Sequence, residues 1–537
     1  MANAYQQYLW IAVCGGICGM LYAFLIGAND VANAFASSVS SKSLTLKQAV
    51  ICAAIFEFCG ALFLGASVTS TIRSKIIDID LYTDQPDVLM FGMFTSMFSA
   101  SIMLWLATYF GLPVSTTHDM VGSIMGFSIA AKGFDSVEWD VAKKLFLSWI
   151  LSPLIAGTGG FIFFAFVKYV VMKSVNPFQR AYYTFPLVLT IGIGIDLFYT
   201  LYKAGNNLKA LEDLSVAIAL PASFGVGLLC GLIWIFGVGP LVEKRIVNAR
   251  EERITNSLQD AVNRKSTLHT EIDPTMMHEN EGDLDGGSAP GNDPEAAQQE
   301  KVEHIPSQEI VVSEAEEPME GIRKFTMTFS DMVNMFGEST YKQDLHAQSM
   351  SENTRAAKIW DHGEEYDKDA EHLFNFIQVF TACLNSFAHG ANDVANAIAP
   401  LSAVLYIFHY GTIESKTGVQ KWLLAAGGGC IVLGLLLYGY RVMKSLGYKL
   451  TKLSPSRGAS AELAASLTVV TASFLGIPVS STQCIVGAIS GVGLVNGHKN
   501  VQWFFLLRVM LGWGVMFFLA VLLSAGIFSF AAFSPDL

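Results

Sequence analysis

Apolar residues come in long runs separated by short polar breaks, and the runs have the length of a bilayer crossing. A membrane-spanning helix needs about 20 mostly apolar residues. Runs of that order fall near 8–36, 46–70, 88–110, 111–131, 145–172, 183–203 and 214–241, and again near 373–408, 421–444, 459–475, 476–495 and 501–531. A polar insert separates the two sets. The pattern predicts an all-α polytopic membrane protein with about 12 transmembrane or re-entrant helical segments. A re-entrant path is open to the two segments that begin with Gly-x-Pro, at Gly111 and Gly476.

An internal repeat sharpens this picture. Gly27-Ala28-Asn29-Asp30-Val31-Ala32-Asn33-Ala34 recurs unchanged as Gly390-Ala391-Asn392-Asp393-Val394-Ala395-Asn396-Ala397. Gly111-Leu112-Pro113-Val114-Ser115-Thr116-Thr117 is matched in register by Gly476-Ile477-Pro478-Val479-Ser480-Ser481-Thr482. The chain therefore reads as two homologous halves: 1–242 with repeat 1, and 372–537 with repeat 2.

Charge separates the insert from the rest. The whole chain is 52% hydrophobic, 15% charged and carries −12 formally; residues 241–371 hold 29 acids and 13 bases, or −16, which leaves +4 elsewhere. The basic residues are scattered, so no stripe exists to follow a nucleic-acid backbone. All eight cysteines lie in apolar stretches, where Cys packs as a small hydrophobe, and neither a disulfide framework nor a zinc site is expected.

Basic residues near span ends set orientation. Arg441, Lys444, Lys449, Lys452 and Arg457 occupy one short loop; Lys244, Arg245, Arg250 and Arg253 open the insert; Lys168, Lys173 and Arg180 occupy a third loop. Under a twelve-span count they fall on one side. Taking it as cytoplasmic puts both termini outside and runs the two motifs in opposite directions. The repeats are then inverted, a plan that places binding sites near the midplane of secondary transporters.

A carboxylate at the bilayer centre costs roughly 2.5 to 3.5 kcal/mol, so Asp30 and Asp393 each need a partner. His389 is the one basic neighbour, and its counterpart Ile26 is apolar. A cation is the expected partner. Asp and Asn oxygens, with carbonyls freed by an unwound Gly-Ala turn, make a hard set suited to sodium: Asn29, Asp30, Asn33, Asn392, Asp393 and Asn396. The same residues would also serve as caps of a helix break. Ser115, Thr116 and Thr117, and Ser480, Ser481 and Thr482, follow a proline where a helix restarts, and offer hydroxyls and free N–H groups to an anion. Alone, each would read as an ordinary N-cap. An anion beside carboxylates must donate hydrogen bonds or have its charge neutralised, which favours phosphate over sulfate. Glu57 and Glu462 also lie in apolar runs and are candidates to complete a cation site or relay a proton. Asp196 and Arg508 lack repeat support and read as structural. The position matching His118 in the repeat is Gln483, so a hydrogen-bonding role fits both copies better than metal ligation or acid-base work. No nucleophile with a base, and no metal-ligand cluster, marks an enzyme.

The paired octapeptides, the Pro-Val-Ser-Thr-Thr-His segment with its copy, and Ser386-Phe387-Ala388-His389 resemble the PiT family of inorganic phosphate transporters. Ser454-Pro455-Ser456-Arg457-Gly458 before Glu462-Leu463 is most similar to its fungal-type sodium-phosphate symporters. The resemblance implies sodium-coupled phosphate import at the plasma membrane by alternating access, an inverted-repeat helical fold, a homodimer, and sodium as the coupling ion with no other cofactor. By motif it implies that Asp30, Asp393 and the four motif asparagines serve sodium and phosphate. It implies that Ser115, Thr116, Thr117, Ser480, Ser481 and Thr482 hold phosphate, and that Glu57 and Glu462 matter for transport. Gln483, where many members carry His, and Ala459 and Ala461 depart from the family pattern.

The insert, 243–371, is expected to be a largely disordered cytoplasmic loop, with residues 246–320 too polar to fold. Ile322, Phe325, Phe329, Met332, Val333 and Phe336 predict an amphipathic helix near 321–337. Two alternatives stay open: a proton-coupled transporter of phosphate or another oxyanion, and a phosphate-sensing receptor that signals through the insert.

Overall fold

The computed structural model describes residues 5–204, 215–270, 363–413, 418–439 and 450–533. Their regular elements are helical, and Ile77 and Val137 form an isolated β-bridge. In lipid every backbone polar group must be satisfied within the protein, and helices do this segment by segment.

In the first half, α1 (Leu9–Ile26) runs through a π-helical turn (Gly27–Val31) into α2 (Ala32–Ser40). α3 (Leu46–Ser74), α4 (Pro86–Tyr109), α5 (Thr116–Lys132) and α6 (Trp139–Phe166) follow. α7 (Pro177–Ala204), α8 (Val216–Ile233) and α9 (Gly239–Thr270) complete it. The second half holds α10 (Lys368–Tyr410), α11 (Lys421–Tyr438), α12 (Pro455–Leu475), α13 (Ser481–Val495) and α14 (Trp503–Phe533).

Among the described residues, ten helical stretches are long and apolar enough to cross a membrane. α5 and α13, with 17 and 15 residues, are the short segments behind Gly-x-Pro, and with the ten they account for the twelve expected runs.

Local chemistry explains the boundaries. Thr45 and Gln48 form a capping box at the start of α3, while Pro86 and Pro455 sit in the first turns of α4 and α12, where a missing N–H costs nothing. After α4 and α12 the chain reverses at Gly111 (φ +62°) and Gly476 (φ +71°), a left-handed backbone that favours glycine.

Glycine also sets the central packing. A Cβ on Gly27 would stand 1.8 Å from the Ile431 carbonyl oxygen, and one on Gly390 2.1 Å from that of Glu57. Reciprocally, Cβ atoms on Gly60 and Gly434 would stand 2.0 Å and 1.7 Å from the carbonyl oxygens of Phe387 and Phe24. Phe24 and Phe387 hold the same place relative to the two motifs, so one backbone crossing is built twice: α10 on α3, and α1 on α11. Small residues let membrane helices approach this closely. The helices of both halves interlock in one compact unit, and α10 is the most buried span.

Three details differ from the sequence reading. The octapeptide is not unwound in either copy: it forms the π turn in the first and continuous α-helix in α10, so few backbone carbonyls are freed as ligands. Residues 246–270 are helical, because they contain neither Gly nor Pro; Pro274 and the Gly-rich acidic stretch beyond dominated the averaged composition. Arg457 is not a loop cation but lies buried in the first turn of α12, its guanidinium 5.0 Å from the Tyr366 ring centre and donating to the Glu364 carbonyl at 2.6 Å. The amphipathic helix expected near 321–337, and Arg441, Lys444 and Lys449, lie outside the described residues.

Candidate functional site

The two motifs bring their carboxylates together. One ligand atom each from Asp30, His389 and Asp393 lie within 4.8 Å of one another, and all three residues are buried. The Thr116 hydroxyl donates to Asp30 Oδ2 at 2.6 Å, and the Thr482 hydroxyl to Asp30 Oδ1 at 3.2 Å. Asp393 accepts from Ser481 at 2.5 Å and from Asn392 Nδ2 at 2.6 Å. Asn396 Nδ2 reaches Asp393 at 3.4 Å, Thr116 at 3.2 Å and Thr117 at 3.3 Å. Both hairpins thus touch both motifs, and the centre belongs to neither half alone. Asn396 Oδ1 is buried without a hydrogen-bond partner, which leaves an acceptor open to a cation.

His389 is the partner the sequence reading undervalued. Its Nδ1 lies 2.9 Å from Glu57 Oε2, and its Nε2 lies 2.8 Å from Asp393 Oδ2, close but poorly directed for a hydrogen bond. Ser386 also donates to Glu57, at 3.1 Å. The missed signal was spacing: residues 389 and 393 are four apart on one helix face. One imidazolium offsets at most one of the three carboxylates, and an uncompensated buried charge is costly. The centre is therefore suited to cations.

The motif asparagines divide by task. Asn29 and Asn392 clasp the hairpin backbones in matched fashion, with the N–H of Val114 and of Val479 each donating to the asparagine Oδ1 at 3.4 Å. Their amides donate to the carbonyls of Leu112 at 3.1 Å and Val479 at 2.7 Å. Asn33's side chain lies outside the described residues. Ser115 and Ser480 cap α5 and α13, accepting from the N–H of His118 and of Gln483 at 3.3 Å and 3.2 Å. Their hydroxyl oxygens are committed to shaping the turn, while Thr116 and Ser481 face the carboxylates. Across the repeat, Gln483 Nε2 lies 3.4 Å from His118 Nε2, so these matched positions meet each other.

Glu57 joins the centre through His389, but Glu462 does not. Glu462 sits in its own cage, accepting from Ser37 at 2.6 Å, Ser38 at 2.5 Å, Thr381 at 2.8 Å and Gln378 at 3.2 Å. Asp119 was not singled out from the sequence, since its counterpart is Cys484; it is buried and accepts from the Tyr22 hydroxyl at 3.1 Å. An acid next to His118 in an apolar segment was the available sign. Asp196 is buried in α7, with its Oδ1 unpartnered.

Two interlocked halves that contribute matched carboxylates, amides and hydroxyls to one buried centre between spans define a membrane transport protein. Comparison with known proteins gives the particular kind. The chain belongs to the phosphate transporter family, whose model matches residues 26–524. It is 32% identical to the phosphate-repressible phosphate permease pho-4 of Neurospora crassa, over 95% of each chain. It is 29% identical to sodium-dependent phosphate transporter 1 of Mus musculus, over 98% of this chain and 96% of that one. A solved structure described as the sodium-dependent phosphate transporter superposes with a TM-score of 0.69 at 26% identity, covering 98% of this chain and 99% of the other. The resemblance read from the motifs holds: the protein is a multi-pass phosphate transporter of the PiT family, and not an enzyme.

Proposed function

We propose that the protein is a sodium-coupled inorganic phosphate symporter of the plasma membrane that works by alternating access. The observation that carries this reading is the buried convergence of Asp30, Asp393 and His389, with hydroxyls from both hairpins donating to the carboxylates. Sodium ions enter first, ligated by Asp30 and Asp393 with oxygens of Asn29, Asn33, Asn392 and Asn396; Glu57 contributes through His389, and Glu462 from its separate cage. The ions neutralise the carboxylates and release Thr116 and Ser481 from them. Phosphate then takes the freed hydroxyls together with Thr117 and Thr482, at the N-termini of α5 and α13, where the positive end of the helix dipole favours an anion. Ser115 and Ser480 serve phosphate by holding those turns. The relatives named sodium-dependent support the choice of coupling ion.

The two halves, 1–242 and 372–537, are inverted repeats in this reading, joined by a cytoplasmic loop at 243–371, with both termini outside and two chains per assembly. Gathering of Lys168, Lys173, Lys452 and Arg457 around residues 363–366 supports one common side for two of the three basic segments. The test is phosphate uptake into proteoliposomes with sodium and proton gradients varied independently. Uptake that follows the sodium gradient at fixed pH is the expected result; uptake that follows only the proton gradient overturns sodium coupling.

A further inference from the structure

We propose that the cleft between α6 and α14 is a membrane-facing lipid site that takes a sterol, held by its single hydroxyl against Trp149, Trp513 and Gln483. The cleft is a cavity of about 1120 Å³ whose floor is formed by α5 and α13, on the hairpin helices. Ile150 and Phe518 line it and are 61% and 67% exposed on spans α6 and α14, so it opens toward lipid.

Its chemistry selects the occupant. No Lys, Arg, Asp or Glu lines the cavity, so a charged headgroup would find no counter-charge. Three polar atoms on its lining residues are buried without partners: Trp149 Nε1, Trp513 Nε1 and Gln483 Oε1. These side chains are 8%, 5% and 5% exposed. Buried indole N–H groups usually find an acceptor, and orphaned buried polar atoms are rare. An indole only donates and an amide oxygen only accepts, whereas a hydroxyl does both. One hydroxyl oxygen can accept from an indole while its proton goes to Gln483. The arrangement is also built from the repeat, since Trp149 and Trp513 each lie ten residues after the tryptophan that opens their helix, Trp139 and Trp503. A rigid ring body loses less conformational entropy on ordering than an acyl chain. Aromatic walls suit it: Trp149 stacks on His118 at 3.7 Å between centroids and meets Phe146 and Phe517 edge-on or tilted at 5.1 Å and 5.6 Å.

Through Gln483 and His118 the occupant would press on the side chains that follow the capped turns, so lipid composition would act on the hairpins from outside the carboxylate centre.

The experiment uses full-length protein in phosphatidylcholine nanodiscs and cholesterol carrying a diazirine and an alkyne, with labelled peptides mapped by mass spectrometry. Label is expected on α6 and α14. Loss of one hydrogen bond costs about 1 to 1.5 kcal/mol, so unlabelled cholesterol should compete about tenfold better than cholest-4-en-3-one, which cannot donate. The double variant Trp149→Phe, Trp513→Phe should label several-fold less while remaining monodisperse. Label elsewhere, equal competition by the ketone or by dioleoylglycerol, or unchanged labelling of a monodisperse double variant would each overturn the proposal. So would inter-subunit cross-links showing a second copy seated in the cleft. The ketone comparison uses the wild-type chain and stands even if the double variant does not fold.

Discussion

Asp30 and Asp393 occupy identical sequence contexts but different surroundings. Asp30 accepts from two hydroxyls of opposite hairpins, whereas Asp393 takes two asparagines, a serine and the approach of His389. The octapeptide made both acids legible, because repetition of a polar triplet inside apolar helices has no packing explanation. His389 was harder to read: only one half carries it, and a repeat argument discards what is not repeated. Glu57 and Glu462 looked alike in sequence, yet three-dimensional neighbours separate them. Asp30→Asn or Asp393→Asn removes one charge of a buried set, where breaking such a pairing costs about 3 to 5 kcal/mol. Sodium-dependent uptake at low phosphate should fall by at least about 100-fold, with surface expression retained. Asp196→Asn, buried but remote from the centre in sequence and partners, should keep uptake within about twofold. Parallel uptake and surface-biotinylation measurements on the three variants check this; an active Asp30→Asn chain would remove the proposed role.

At the scale of helices, the ten long spans could be read from apolar length, since the bilayer imposes one dimension on every span, whereas α5 and α13, with 17 and 15 residues, were marked by the Gly-x-Pro that precedes them. Helix crossings could not. That Gly27 packs on Ile431 and Gly390 on Glu57 depends on where distant backbones meet, and sequence records only that a glycine is present. The π turn in the first motif is likewise absent from α10 despite identical residues, so it arises from tertiary context and not from the octapeptide. Overpacking a tight core costs typically about 1 to 3 kcal/mol, and here the obstruction is backbone, which cannot rotate away. Gly27→Ala and Gly390→Ala should therefore each lower the detergent melting temperature by several degrees and abolish uptake. Gly16 and Gly225 have open space where a Cβ would stand, and Ala there should be neutral or stabilising by up to about 1 kcal/mol. Fluorescence-detected size-exclusion after heating distinguishes the two pairs; equal melting curves would show that the crossings are not close-packed in solution.

The helices of the two membrane halves form one compact unit, and residues 363–367 are where the described chain re-enters it from the insert. Glu364 meets Lys168 at 2.8 Å and Lys173 at 2.9 Å, joining this segment to the end of the α6 span. Partial burial raises the Glu364 carboxyl, but hydrogen bonds and charge from Lys168 and Lys173 outweigh it and hold it at about 2, against an ordinary 4.5. Because the folded value is depressed, the stabilisation is complete above about pH 4.5 and is lost as pH falls toward 2. Hydrogen exchange of residues 363–367 should accelerate across that window in the wild-type chain and show no such step in Glu364→Gln.

The anchor also bears on what the insert does. An acidic segment that carried the transport function would have to supply groups to the buried centre; among the described residues, every side chain placed there comes from α1 to α5 or from α10 to α13, with the intervening π turn. By sequence the −16 belongs to residues 241–371 and the rest of the chain carries +4, so the chain's net acidity is no obstacle to an anionic substrate. Deleting residues 275–320 removes sequence beyond α9 and well short of the Glu364 anchor. The entropic cost of closing a loop depends only weakly on its length. Sodium-dependent uptake by this variant should stay within about twofold of wild type in proteoliposomes. A receptor that signals through the insert would show the opposite division, with binding intact and cellular output lost; uptake that collapses in a well-folded deletion would place part of the transport machinery in the insert after all.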